Sequence, residues 1–212
     1  MEEIMIKLSE FRHNHHPSEV RMLAKFIRRG FSGIFMSYEP FVERFGELAR
    51  EETRSMTIFD DPRLAGDEYA FFELYCNDID CDCRRVMFNV VSRNRMDIVA
   101  VIAYGWESKT FYTKWYHGYD DPDIIAQMQG PILNPGNPQS ELASALLKKV
   151  MDILLKDPAY VARIKRHYWM FKEKVDPKHF PSATMNEIEA PGEDTLKGNR
   201  KHHRRRSQKK DQ

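Results

Sequence analysis

Absences narrow the possible functions of this chain before any motif is read. Three cysteines in 212 residues are too few, and odd in number, for the disulfide framework of a small secreted fold. No apolar run approaches the roughly 20 residues that a bilayer crossing needs. The opening Met1-Glu2-Glu3-Ile4-Met5-Ile6-Lys7 lacks both the basic start and the apolar segment of a secretory signal. A dominant charge is missing too. The net charge is +1, so the chain as a whole has no electrostatic preference for nucleic acid or membrane. Together these absences predict a cytoplasmic protein with reduced thiols. Catalytic signatures are equally scarce: G-x-S-x-G, the P-loop, G-x-G-x-x-G and H-E-x-x-H do not occur. The deaminase pattern, H-x-E followed by P-C-x-x-C, is missing as well.

The composition that remains suits one domain with appendages. A hydrophobic fraction of 42% supports a single sizeable core, and the 31% of charged residues are expected to concentrate at the termini. Residues 1–16 read as a polar leader ending in His13-Asn14-His15-His16, a tract that can ligate a metal but is more commonly solvated. Residues 17–175 read as the domain. Within it, Val20, Leu23, Ala24 and Ile27 recur at helical spacing between Pro17 and Gly30. A second helix is expected from Tyr38 to Glu51, capped by Ser37, with Phe41, Phe45 and Leu48 as its apolar stripe. Strand formers fill residues 68–75, 85–92, 97–104 and 110–116, and the connectors Arg93-Asn94-Arg95-Met96 and Glu107-Ser108-Lys109 are of hairpin length. A short helical turn at Asp123–Gln129, an amphipathic helix over 139–155 and another from Asp157-Pro158 to Lys174 follow. The predicted fold class is α+β: an antiparallel four-stranded meander flanked by N-terminal and C-terminal helices.

The chemistry concentrates in Tyr75-Cys76-Asn77-Asp78-Ile79-Asp80-Cys81-Asp82-Cys83-Arg84-Arg85-Val86. It holds every cysteine of the chain, spaced C-x4-C-x-C, between two predicted strands. Thiolates made acidic by nearby cations are good metal ligands. Tetrahedral zinc, with bonds of about 2.3 Å, needs its sulfurs about 4 Å apart, whereas side chains two apart on a flat strand stand about 7 Å apart. Residues 81–83 must therefore curl if Cys76, Cys81 and Cys83 are to share an ion. The fourth ligand is not in the local sequence. His117, placed just after the fourth predicted strand, is the first candidate, Asp78 or Asp80 the second and water the third. A polar turn with buried, inert cysteines is the competing reading, and a redox thiol pair a further one. Asp78-x-Asp80-x-Asp82 is similar to the start of a calcium loop but lacks its glycine and its distal glutamate.

Residues 176–212 read as a disordered basic tail. Pro177, Pro181 and Pro191 interrupt regular structure, and no apolar anchor follows Leu196. Lys197, Arg200, Lys201, Arg204, Arg205, Arg206, Lys209 and Lys210 would attract nucleic acid or an acidic protein without sequence selectivity, through a contact that weakens with salt. A solubilising extension would have the same composition.

The stretch Tyr75–Val86 resembles a group of uncharacterised bacterial proteins, many of which end in a SEC-C type zinc motif. So do Ala103-Tyr104-Gly105-Trp106-Glu107 with Phe111–Trp115, Asn134–Leu147 and Asp157–Lys172. The resemblance covers roughly residues 65–175. The terminal motif itself, of the form C-P-C-G-S-G-K-K, is missing here, and the basic tail stands in its place. The resemblance implies a non-enzymatic role or one without an assigned activity, and no residue roles beyond the loop. The functional expectation is an interaction module with a cysteine-loop zinc site and a polyanion-binding tail. The alternative is a metal-dependent enzyme using the same cysteines with an open coordination position, His117 and Asp82 serving as base or supporting groups.

Overall fold

The computed structural model describes residues 6–10, 38–64 and 66–181. The expected helix between Pro17 and Gly30, its histidine-rich leader, Ser37 and the basic run from Lys197 to Lys210 lie outside the described residues. Within them the fold is α+β, and its organising element is a long strand, β4 (Asp67–Cys76). One edge of β4 pairs with β5 (Arg85–Ser92), which pairs in turn with β6 (Asp97–Gly105). These three are the strands expected from their runs of strand-forming residues. The other edge of β4 is shared. Its first half pairs with β3 (Arg54–Ile58), and its last three residues pair with β2 (Tyr38–Pro40). β1 (Ile6–Glu10) lies outside β3, and the two-residue β7 (Ile132–Leu133) lies outside β6. Every pairing is antiparallel, so the described sheet has seven strands where the sequence pattern shows four.

Two expectations are corrected. Residues 110–116 carry strong strand formers, yet they form α3 (Lys109–Trp115), not a fourth strand. Local capping and one buried aromatic override propensity there. Ser108 accepts a hydrogen bond from the Phe111 N–H at 3.2 Å, and Tyr112 is fully buried against Gly105. A β-carbon at Gly105 would collide with the Tyr112 ring, so this close packing requires the glycine. The single helix expected from Tyr38 to Glu51 is instead β2 followed by α1 (Phe41–Arg44) and α2 (Gly46–Glu52). The chain breaks between them at Phe45, whose φ of −130° and ψ of 53° are not helical.

The later helices follow their local signals. α4 (Pro122–Gln129) is capped by Asp121 and α6 (Pro158–Val175) by Asp157, each with proline in the first turn. α5 (Ala143–Asp152) runs into a 3₁₀ turn at Leu154–Lys156. α6 buries Tyr160, Ile164, His167, Tyr168, Phe171 and Lys172, one stripe of a 3.6-residue repeat. That stripe packs on the sheet face formed by Tyr69, Phe71, Tyr75, Val86, Phe88 and Val90, together with α1 and α5. The opposite face, with Ala70, Phe72, Leu74, Met87, Val91, Val101 and Ala103, is also buried, which is why β4 to β6 read as continuous apolar runs. Among the described residues no helix is long and apolar enough to cross a membrane.

Candidate metal centre

β4 ends at Cys76 and β5 begins at Arg85, so the cysteine loop lies at one end of the sheet, beneath the last turns of α6. The curl that shared ligation demands is present. Asp80 and Arg84 both adopt positive φ, at 64° and 46°, and no residue from Asn77 to Arg84 belongs to a strand. Left-handed backbone at a side chain as long as arginine is uncommon and has to be held in place. The anchors of Arg84 are numerous. Its N–H donates to the Tyr168 hydroxyl at 3.2 Å, and its carbonyl accepts from the Tyr112 hydroxyl at 3.0 Å. Its guanidinium donates to Asp82 and Glu107 and lies between the rings of Phe111 and Trp169, 4.8 and 5.3 Å from their centroids.

This folding brings the sulfurs of Cys76, Cys81 and Cys83 within 4.8 Å of one another. Cys76 and Cys83 are buried and Cys81 is half-buried. Tetrahedral zinc would draw the sulfurs to about 4 Å, a small contraction, so the donor set fits a thiophilic ion. Among the three sulfurs, one thiolate is favoured. Hydrogen bonds from the Cys76 and Cys83 thiols, followed by the positive charge of Lys172, lower the Cys81 thiol to about 3. The protons stay on the donors: donation to Cys81 raises Cys76, and contact with Cys76 and Cys81 raises Cys83 well above the usual thiol value. Tyr38, on β2, adds a hydroxyl hydrogen-bonded to Cys83, and burial pushes its phenol well up.

α6 and the segment after it close the loop from outside. Tyr168 donates to Asp82 Oδ1 at 3.0 Å. Lys172 is fully buried and donates to the carbonyls of Asp78, at 2.8 Å, and Cys76, at 3.5 Å. Its Nζ also lies 5.0 Å from the centroid of the Phe180 ring. Asp176 accepts the Asp80 N–H at 2.9 Å, a bond that leads the groups lowering its carboxyl. His179 Nδ1 lies 2.8 Å from Asp80 and 2.9 Å from Asp176, so these three side chains form a clasp over the outer turn. The chain is therefore packed past Val175, as far as the buried Phe180.

The residues predicted as ligands are thus partly assembled. Cys76, Cys81 and Cys83 converge. His117 does not join the side chains whose ligand atoms group around the sulfurs; it is exposed, at a φ of 58°, just past α3. Asp78 serves through its carbonyl and Asp80 faces the clasp. Lys172, Tyr168, Tyr38 and Asp176 are the supporting groups that the sequence pattern does not single out. One signal for Lys172 exists: it falls on the buried stripe of α6, where a lysine is out of place. No protein-family model matches the chain, nor does any curated protein or solved structure. Function is therefore read from the geometry of the site.

Proposed function

We propose that the protein is a cytoplasmic interaction module in which Cys76, Cys81 and Cys83 hold one zinc ion, and that the ion fastens the β4–β5 loop beneath α6. The observation that carries this reading is the convergence of three sulfurs, contributed by a strand end and a curled loop, within 4.8 Å. Thiolate is the ligand zinc prefers in structural sites, and free thiols suit a reducing compartment. A loop held by so many side chains gains stability from the ion, because metal-binding energy at such a site becomes folding energy. The basic run from Lys197 to Lys210 supplies the module's attraction for nucleic acid or an acidic protein, on the ground of its charge.

The test is metal content of the untagged protein by plasma mass spectrometry, beside a thiol count under denaturing conditions. About one zinc per chain is expected, and Cys81→Ser should lower both zinc content and melting temperature. Metal-free protein with all thiols titratable overturns the reading. So does a Cys81→Ser variant whose stability stays within a few tenths of a kcal/mol of the parent.

A further inference from the structure

Two buried lysines in this fold differ in one respect. Lys149 meets a carboxylate, Asp61, at 2.6 Å. Lys172 is more deeply buried, at 0% exposure, and has no carboxylate at ion-pair distance among the described residues. Its oxygen partners are two main-chain carbonyls of the cysteine loop, and the Phe180 ring covers it. Carbonyl dipoles satisfy its N–H groups but leave its charge uncancelled, and a buried charge without a counter-charge is strongly unfavourable. The sulfur cluster of the same loop supplies negative charge: the carbonyls that hold Lys172 belong to Cys76 and Asp78, and its charge acts on the Cys81 thiol. The other carboxylates around the loop are engaged or turned outward: Asp82 and Glu107 pair with Arg84, Asp80 and Asp176 with His179, and Asp78 is exposed.

We propose that Lys172 sets the charge of the ion this site accepts, selecting thiophilic divalent ions such as zinc and cadmium over monovalent copper and trivalent arsenic. The inference rests on the metal-binding reading above and adds selectivity to it. Three coordinated thiolates carry three negative charges, and the lysine ammonium cancels one. A divalent ion brings the buried assembly to neutrality. A monovalent ion leaves it negative and a trivalent ion leaves it positive, and in a low-dielectric interior either residue of charge weakens binding. Without Lys172 the balance shifts toward a trivalent ion, because three thiolates neutralise a trivalent ion unaided. Lys172 does not ligate the ion; it is a positioning and selectivity residue, held at the loop by the Cys76 and Asp78 carbonyls.

The experiment titrates reduced full-length protein with cadmium and, separately, with arsenite, following the ultraviolet absorption of each metal–thiolate bond. Lys172→Gln keeps N–H donors for the two carbonyls and removes the charge. Lys172→Arg keeps the charge. The quantity read is the ratio of cadmium to arsenite affinity within each protein, which cancels a general loosening of the site. Lys172→Gln should lower that ratio by about 10–100-fold, the usual scale for a group just outside the ligands, and Lys172→Arg should restore most of it. An unchanged ratio in a Lys172→Gln protein that still binds cadmium overturns the selectivity role and leaves the metal site standing. Failure of the unaltered protein to bind cadmium overturns the metal site itself, and the inference with it. Should Lys172→Gln not fold by circular dichroism, Lys172→Met replaces it in the same titrations: a lowered ratio supports the selectivity role and an unchanged one overturns it.

Discussion

Tyr168 meets the cysteine loop through a single oxygen that both gives and receives a hydrogen bond, to Asp82 and from the Arg84 N–H. Burial, with the negative charge of Asp82, holds its phenol well above the ordinary value, so it stays a donor at neutral pH. Tyr168→Phe preserves the packing against Trp106 and Trp169 and removes both bonds. It leaves the strained Arg84 backbone with an unsatisfied N–H, and a loss of about 1–3 kcal/mol is expected. Urea denaturation of the two proteins measures it; equal midpoints would show that the loop's curl does not depend on this hydroxyl. At this scale the cysteines were legible because their spacing is visible along the chain. Tyr168 and Lys172 were not, because their partners lie 86 and 94 positions away and nothing local links them.

At the scale of elements, legibility followed how self-contained each element is. α4 and α6 carry their own caps and proline starts, and both were readable. β2 was not: three residues ending in proline make no strand without the free end of β4 to pair with. α3 looked like a strand because its Thr-Phe-Tyr-Thr-Lys-Trp-Tyr composition outweighs a single serine cap in any local count. The packed segment after α6 gives a prediction of its own. A chain ended after Pro181 retains Asp176, His179 and Phe180, and should bind cadmium as the full protein does while losing salt-sensitive binding to a polyanion such as heparin. A chain ended after Val175 loses the clasp and the cover over Lys172, and its cadmium affinity should fall about 10–100-fold. Equal cadmium affinity in the two truncations would show that the segment merely rests on the loop.

At the scale of the molecule, ion pairs tie the sheet to its helices at sites far from the cysteines. Asp61, in the β3–β4 connection, reaches Lys149 on α5. Burial alone would raise its carboxyl, but the Lys149 ammonium and the Arg63 N–H outweigh burial and lower it from its ordinary 3.8. A carboxyl lowered by folding stabilises the fold fully above its unfolded value, and that contribution is lost as pH falls through the folded value. Asp61→Asn should therefore be much less stable than the parent at neutral pH, and the gap should narrow as pH falls below the ordinary carboxyl value of 3.8 and the parent's carboxyl takes up its proton. Urea midpoints across that range test it, and a gap independent of pH would remove the charge from the account. Buried polar ties of this kind leave only a faint mark in the sequence: one aspartate beside a proline, and one lysine on an otherwise apolar stripe.

The cysteine loop also has a history within each molecule's synthesis. Its sulfurs leave the ribosome with β4 and β5, but Lys172 follows Asp78 by 94 residues. At about 5–20 residues per second that interval lasts roughly 5–20 s. During it the three thiols are without the helix that shields them and the cation that balances them. An ion held at this site would therefore be captured by nearly complete chains, and until then the three thiols would be open to oxidants without the cover of α6.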